Sequence, residues 1–552
     1  MSPLPPESMG KESRTRKSLL NARVNLLFYF LALLVSFFSR KVFLDHLGAD
    51  FIGLTGTLGN ILGFLNLAEL GVGASVSYAL YQPIAKGNRD EICRIVSVFG
   101  SLYRYIGGFV LAAGILVSVF FPLIFRHTIF SYGIIYFAFF SLLTSSLIGY
   151  FINYRSILLY ADQRLYVVTA YFQTATLIKT FVQMALVYYV YNLYLWVAIE
   201  LLYGFIHATI LNWKIRQTYP WLTASAAVGN KVRSQYPEIV QKTKQVFVHK
   251  MKDFLLQQSD QIMIFAFVSL KMVAYYGNYT LVVGRITMLF TTMMGGIVAG
   301  VGNLVAEGDR QKTYSVFWEL VFVHYMIAGI VVFGVFIGVQ PFISLWLGNQ
   351  YLLSPTIVAL LLLHTFIMLS RGAVDTFNAA CGNYHDTWSA WVEGIINILV
   401  TLVTCSLWGL PGVLLGKIAS LIPIIVIWKP LFLYRTSFHR SIWHYWKTIL
   451  LTLAGFVTAF LAAFSCARFL PLNPYQGFPQ WAGYCLILTA LFTLLYFLSL
   501  LIFNPGAKTM MQRICRWSSM TTTIKREEKV WRIGILAVFL YHLSVKIWKQ
   551  SN

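Results

Sequence analysis

Charge is what this sequence has least of. Only 11% of its 552 residues are Asp, Glu, Lys or Arg, and only 20 are acidic. A water-soluble chain of this length could not cover its surface with so few charges, which excludes an ordinary soluble fold. Cysteine is scarce as well. Cys93, Cys381, Cys405, Cys466, Cys485 and Cys515 are scattered and form no C-x-x-C pair, which argues against a disulfide framework or a cysteine metal site. The P-loop, G-x-S-x-G and H-E-x-x-H patterns are absent, and the histidines stand singly. No polar stretch is long enough to be a nucleotide-binding domain, so an ATP-driven pump has no engine here. These absences predict a chain that is not an enzyme and carries no cofactor.

Hydrophobic residues make up 58% of the chain, and mean hydropathy is +0.67. A bilayer crossing needs about 20 apolar residues. Fourteen such segments are found, at 22–44, 51–80, 97–123, 132–154, 165–190, 192–212, 246–269, 273–302, 315–341, 353–378, 387–410, 412–433, 447–468 and 482–503. The fold class that follows is an all-α polytopic membrane protein. The net charge of +23 would suggest nucleic acid in a soluble chain. Here the basic residues follow the positive-inside rule instead. They sit in the N-terminal tail (Lys11, Arg14, Arg16, Lys17), in alternate loops (Lys86, Arg89, Arg94; Arg155, Arg164; Lys214 to Lys244; Arg310, Lys312; Arg435, Arg440) and in the C-terminal tail from Lys508. The opposite loops hold little beyond Arg126, Lys271 and Arg468. Both termini are therefore expected in the cytoplasm, with an even number of spans.

Residues 51–91 repeat 221 positions later. With no gap, Gly56 falls on Gly277, Gly63 on Gly284, Ala85 on Ala306, Gly87 on Gly308 and Arg89 on Arg310. The loops AKGNRD and AEGDRQ coincide. A fixed-offset repeat in a membrane chain points to a transporter of two halves, and six spans per half make the repeat parallel. The expected layout is a cytoplasmic tail (1–19), an N-lobe of spans 1–6 (20–212), a basic linker (213–244), a C-lobe of spans 7–12 (245–436), spans 13–14 (437–505) and a basic tail (506–552). An interfacial helix is expected at 530–548.

Ionisable groups at membrane depth each cost about 2.5–3.5 kcal/mol on insertion scales, so each needs a reason. The basic set is Arg40, Lys41, Arg104, Lys179, Arg285, Arg371 and Lys417; the acidic set is Glu69, Glu200, Asp253, Asp260, Glu319, Asp375 and Glu393. The plain reading is mutual pairing, and Arg371 and Asp375 stand at i, i+4, where one helix can pair them. Glu319 and Glu393 lie near span ends, where they can reach water. In the seventh span Lys250, Asp253, Gln257 and Asp260 make one face polar, and lipid cannot meet such a face. Arg40 and Arg285 have no acid one turn away, so we read both as facing an interior cavity, where guanidinium suits a bidentate phosphate. Gly53, Gly56, Gly59 and Gly63 share one helix face and invite close packing.

The segment Gln257–Leu281, the two loops AKGNRD and AEGDRQ, and the turn WGLPGVLLGKIAS (Trp408–Ser420) resemble the bacterial polysaccharide flippases, the Wzx-type O-antigen and capsule translocases. Their superfamily also holds multidrug exporters and lipid II flippases. The likeness spans about residues 18–505 and departs at Val273-Ala274-Tyr275, where a glycine usually precedes the first tyrosine. It implies two six-helix lobes plus two further helices and a cavity of alternating access. The substrate would be an undecaprenyl-pyrophosphate-linked oligosaccharide, moved across a bacterial inner membrane on an H+ or Na+ gradient. Glycosyltransferases and a glycan polymerase would be its partners. Arg40 and Arg285, with Lys41, Lys179 and Lys417, would contact the pyrophosphate. Asp260 and Glu69, with Asp253, Asp375 and Arg371, would serve coupling or gating.

Overall fold

A computed structural model describes residues 14–513 of the protein, apart from 70–71, 127, 163, 238, 240, 242, 244–260, 296 and 384. Every described element is helical. Among the described residues, ten helices are long and apolar enough to cross a membrane by length and composition, and the protein is an all-α multi-pass membrane protein. The interfacial helix expected at 530–548 lies outside the described residues.

The chain divides into two compact units, Met1–Ala274 and Tyr275–Asn552. The first holds α1 (Arg14–Leu65), α2 (Val72–Lys86), α3 (Arg89–Val119), α4 (Phe121–Ile124), α5 (Tyr132–Phe151), α6 (Ile157–Ala161), α7 (Leu165–Tyr189), α8 (Leu193–Thr218) and α9 (Ala226–Val232). Helix α10 (Leu270–Gly295) begins at its end. The second unit continues with α11 (Ile297–Ala306), α12 (Arg310–Leu347), α13 (Pro355–Ser370), α14 (Gly372–Ala380), α15 (Thr387–Trp408), α16 (Leu410–Leu421), α17 (Lys429–Leu433), α18 (Trp443–Cys466) and α19 (Phe478–Phe503).

The fourteen apolar segments map onto these helices with instructive exceptions. Segments 22–44 and 51–80 share α1, which bends at Gly48 (φ 83, ψ 160). Segment 51–80 is also not one helix. α1 stops at Leu65, Asn66–Glu69 form a 3-10 turn, and α2 starts again at Val72. Segment 165–190 folds as α7, but Gln173, Lys179 and Gln183 dilute its apolar run. Segment 246–269 falls mostly outside the described residues, and 273–302 is divided between α10 and α11.

The 221-residue offset is visible in the backbone. Gly48 maps onto Ser269, and helix resumes after each. α3 starts at Arg89 and α12 at Arg310. Gly87 and Gly308 both hold positive φ, 68° and 78°, a conformation that glycine adopts without a Cβ penalty. The next residue caps the following helix in each case. Asn88 Oδ1 accepts from the Glu91 amide at 3.2 Å, and Asp309 Oδ1 accepts from Gln311 and Lys312 at 3.1 and 3.0 Å. Both side chains satisfy amides that a helix start leaves open.

Between helices in lipid, close packing does the work that the hydrophobic effect does in water. A Cβ on Gly53 would overlap the Leu270 carbonyl, whereas one on Gly59 would meet nothing within 4 Å. Of these two, only Gly53 is in tight contact. In the second unit α18 and α19 flank α12, where the Phe333 and Phe492 rings stack at 4.4 Å.

Residues 213–235 are well seated. Residues 213–218 complete α8, and α9 packs on α3, its Gly229 in backbone contact with Ser97. Tyr154 and Arg155 both donate to the Ala224 carbonyl, at 3.1 and 2.8 Å. Tyr219 donates to Asp162 at 2.8 Å. Burial first, and the Asp162 charge second, raise the Tyr219 phenol well above its usual pKa, so it remains a hydrogen-bond donor.

Candidate functional site

The break in the second apolar segment sets the site. A helix end leaves backbone groups without partners, so polar side chains gather there. Asn66 and Glu69 sit in the 3-10 turn. Glu69 Oε1 accepts from the Tyr103 hydroxyl of α3. The Tyr150 hydroxyl of α5 lies 2.8 Å from Glu69 Oε2 and 3.0 Å from Asn66 Oδ1. Ser146 donates to the same Asn66 oxygen at 3.1 Å. The two tyrosine rings meet edge to face at 5.3 Å. Three separate helical segments thus hold one carboxylate in an all-oxygen cluster.

This cluster forms part of the wall of a cavity of about 660 Å3 inside the first unit. Its lining includes Tyr103, Asn153, Tyr160, Phe172, Gln173 and His207. No lysine or arginine is among the described residues that line it. The His207 ring meets Phe172 edge-on at 5.2 Å and lies over Tyr203 at 6.1 Å. Its Nε2 is buried and has no hydrogen-bond partner among the described residues.

The basic candidates lie elsewhere. Lys179 Nζ donates to both Glu200 oxygens, at 2.7 and 2.8 Å, and stands 4.8 Å from the centre of the Tyr203 ring. Gln183 completes this pair with a 3.2 Å bond to Glu200. Arg40 Nη2 donates to the Ala274 carbonyl at 2.9 Å. Lys41 is half-exposed and faces Asp45 at 3.4 Å. In the second unit Arg371 pairs with Asp375, as their spacing allows. Arg285 on α10 and Lys417 on α16 are half-buried, and His364 lies within electrostatic reach of Lys417 and Arg371. Asp253 and Asp260 lie outside the described residues.

The structure therefore surrounds Glu69 with residues that sequence reasoning passed over: Asn66, Tyr103, Ser146, Tyr150 and His207. They come from four separate segments, and apart from Ser146 and Tyr150, one turn apart on α5, no spacing in the chain links them. The one local signal was Asn66 and Glu69 themselves, two polar residues a helical turn apart in an apolar run.

No family model matches the sequence, and no curated protein matches it. Solved structures do. The chain is similar to "Lipid II flippase MurJ, inward closed conformation", with a TM-score of 0.60 at 13% identity, over 88% of this chain and 98% of that one. The two share a fold. A multidrug resistance MATE family transporter of the MOP superfamily, in an inward-facing conformation, is similar with a TM-score of 0.50 at 15% identity, over 76% of this chain and 99% of that one. The fold is common to both kinds of transporter.

Proposed function

We propose that the protein is a flippase for undecaprenyl-pyrophosphate-linked oligosaccharide repeat units. It would act by alternating access in a bacterial inner membrane, with both termini in the cytoplasm. The observation that carries this reading is the extent of the two likenesses. Each neighbour is covered almost whole, yet the flippase accounts for about 66 more residues of this chain than the exporter does. That surplus is close to the length of α18 and α19 with their connection, 61 residues from Trp443 to Phe503. The surface glycan could be O-antigen or capsule, with glycosyltransferases supplying the substrate and a polymerase consuming it.

In this reading Arg40 and Arg285 contact the diphosphate, because a guanidinium fork matches phosphate oxygens. Glu69 takes up and releases the coupling ion, H+ or Na+. The oxygen cluster of Asn66, Ser146, Tyr103 and Tyr150 supports that role, since hard cations seek oxygen ligands. A lipid II flippase is the second reading, favoured by the name of the structural neighbour. Deleting the gene separates the two. Loss of surface glycan in viable cells, with lipid-linked repeat units accumulating on the cytoplasmic face, is the expected result. Arrest of wall synthesis would turn the assignment to lipid II, and an unchanged envelope with altered drug sensitivity would sink both.

A further inference from the structure

The cavity of the first unit is chemically unlike a phosphate site. It has no lysine or arginine among its described lining residues, so a diphosphate buried there would go uncompensated. It is equally unlike a site for a lipid tail, which would lie against the polar groups of Gln173 and His207 and offer them no partner. Tyr103 and Tyr150 each point a hydroxyl at one Glu69 oxygen. Once a tyrosine hydroxyl has donated its proton, its lone pairs remain as acceptors.

What fits is a ligand with many hydroxyls and apolar ring faces. Pyranose rings present C–H faces that pack on aromatic rings, and hydroxyl edges that exchange hydrogen bonds with amides, phenols and imidazole. The lining supplies both: Tyr160 and Phe172 as exposed aromatic faces, and Gln173, Asn153 and the lone pairs of Tyr103 and Tyr150 as polar partners. The unpartnered Nε2 of His207 is a second, independent sign, because a buried ring nitrogen without a partner is costly unless a ligand completes it. The volume of about 660 Å3 falls within the roughly 300–1,000 Å3 of small-molecule pockets, room for a short oligosaccharide. Asn153, Ser156 and Tyr160 place it beside the loop that carries Arg155 and Arg164, the side assigned to the cytoplasm.

We infer that this cavity is the sugar subsite: it holds the uncharged glycan end of the substrate. The inference rests on the flippase reading and adds where, and by what chemistry, the sugar is met. The glycan would load into the first unit from the cytoplasmic side.

The test is native mass spectrometry of the full-length protein in nanodiscs, titrated with two probes. One is undecaprenyl diphosphate. The other is the polyprenyl-diphosphate glycan pool extracted from the cells that make the protein. The glycan lipid should bind at least tenfold more tightly than the bare lipid. Tyr160→Ala and Phe172→Ala, both at exposed positions, should erase that difference and leave binding of the bare lipid intact. His207→Gln, which keeps a hydrogen-bonding group, should retain more of the difference than His207→Phe. Equal binding of the two lipids by the native protein, or equal weakening of both in the variants, overturns the sugar subsite alone. Binding of neither lipid by the folded native protein overturns the flippase reading and the subsite with it.

Discussion

Replacing Glu69 with glutamine keeps the shape of the side chain and removes its charge, so it separates coupling from architecture. With Glu69→Gln we expect flipping in proteoliposomes to fall at least tenfold and to lose its dependence on an imposed H+ or Na+ gradient, while the melting temperature changes little. Unchanged gradient dependence would remove Glu69 from coupling. Glu69→Ala should also destabilise the fold, by about 1–3 kcal/mol, because the buried phenol of Tyr103 would lose its acceptor. The Lys179–Glu200 pair makes the opposite case. Both side chains are largely buried, 14% and 21% exposed, and breaking a buried pair from one side strands a charge, at a cost of about 3–5 kcal/mol. Lys179→Met alone should therefore lower the melting temperature sharply, and Lys179→Met with Glu200→Met should restore most of it. If the double variant also transports at the native rate, the pair is architectural. If it is stable but inactive, Lys179 returns as a substrate contact.

At the scale of the helix, Gly53 and Gly59 face different surroundings although they share one face of α1. Gly53→Ala drives a methyl group against the Leu270 carbonyl, and overpacking of this kind costs about 1–3 kcal/mol. Gly59→Ala meets open space and gains helix propensity of about 0.5–1 kcal/mol. Thermal melts of the purified variants should move in opposite directions; equal shifts would mean that helix propensity alone governs this face. From sequence the two glycines were indistinguishable, because spacing reports which face a residue shares and not what approaches it. The same limit explains the unseen break at Asn66–Glu69. Hydropathy averaged over 51–80 runs straight across a four-residue turn. Features written within one or two turns of chain were readable: the helical class, the Arg371–Asp375 pair and the loops at Gly87 and Gly308. The Glu69 cluster was not, because Tyr103 and Tyr150 are 34 and 81 residues away and only the fold brings them to it.

For the molecule as a whole, α18 and α19 are part of the packing and not an appendage. Phe492 stacks on Phe333, and Gly329 of α12 lies directly against the Tyr496 ring. Ending the chain at Phe438 would strip α12 of this flank. We expect the truncated protein to insert poorly and to aggregate on extraction, as judged by the loss of a monodisperse peak in size-exclusion chromatography. A well-behaved, active truncation would instead make the chain a twelve-span transporter with a dispensable addition and would weaken the flippase reading.

The two loops with left-handed glycines are, in engineering terms, interchangeable parts. Each closes a turn on glycine and starts the next helix on a short side chain that captures its first amides. Grafting Gly-Asp-Arg-Gln in place of Gly87-Asn88-Arg89-Asp90 should give a chimera that folds and transports as the native protein does. Two halves that have drifted apart in most of their residues would then still share a working spare.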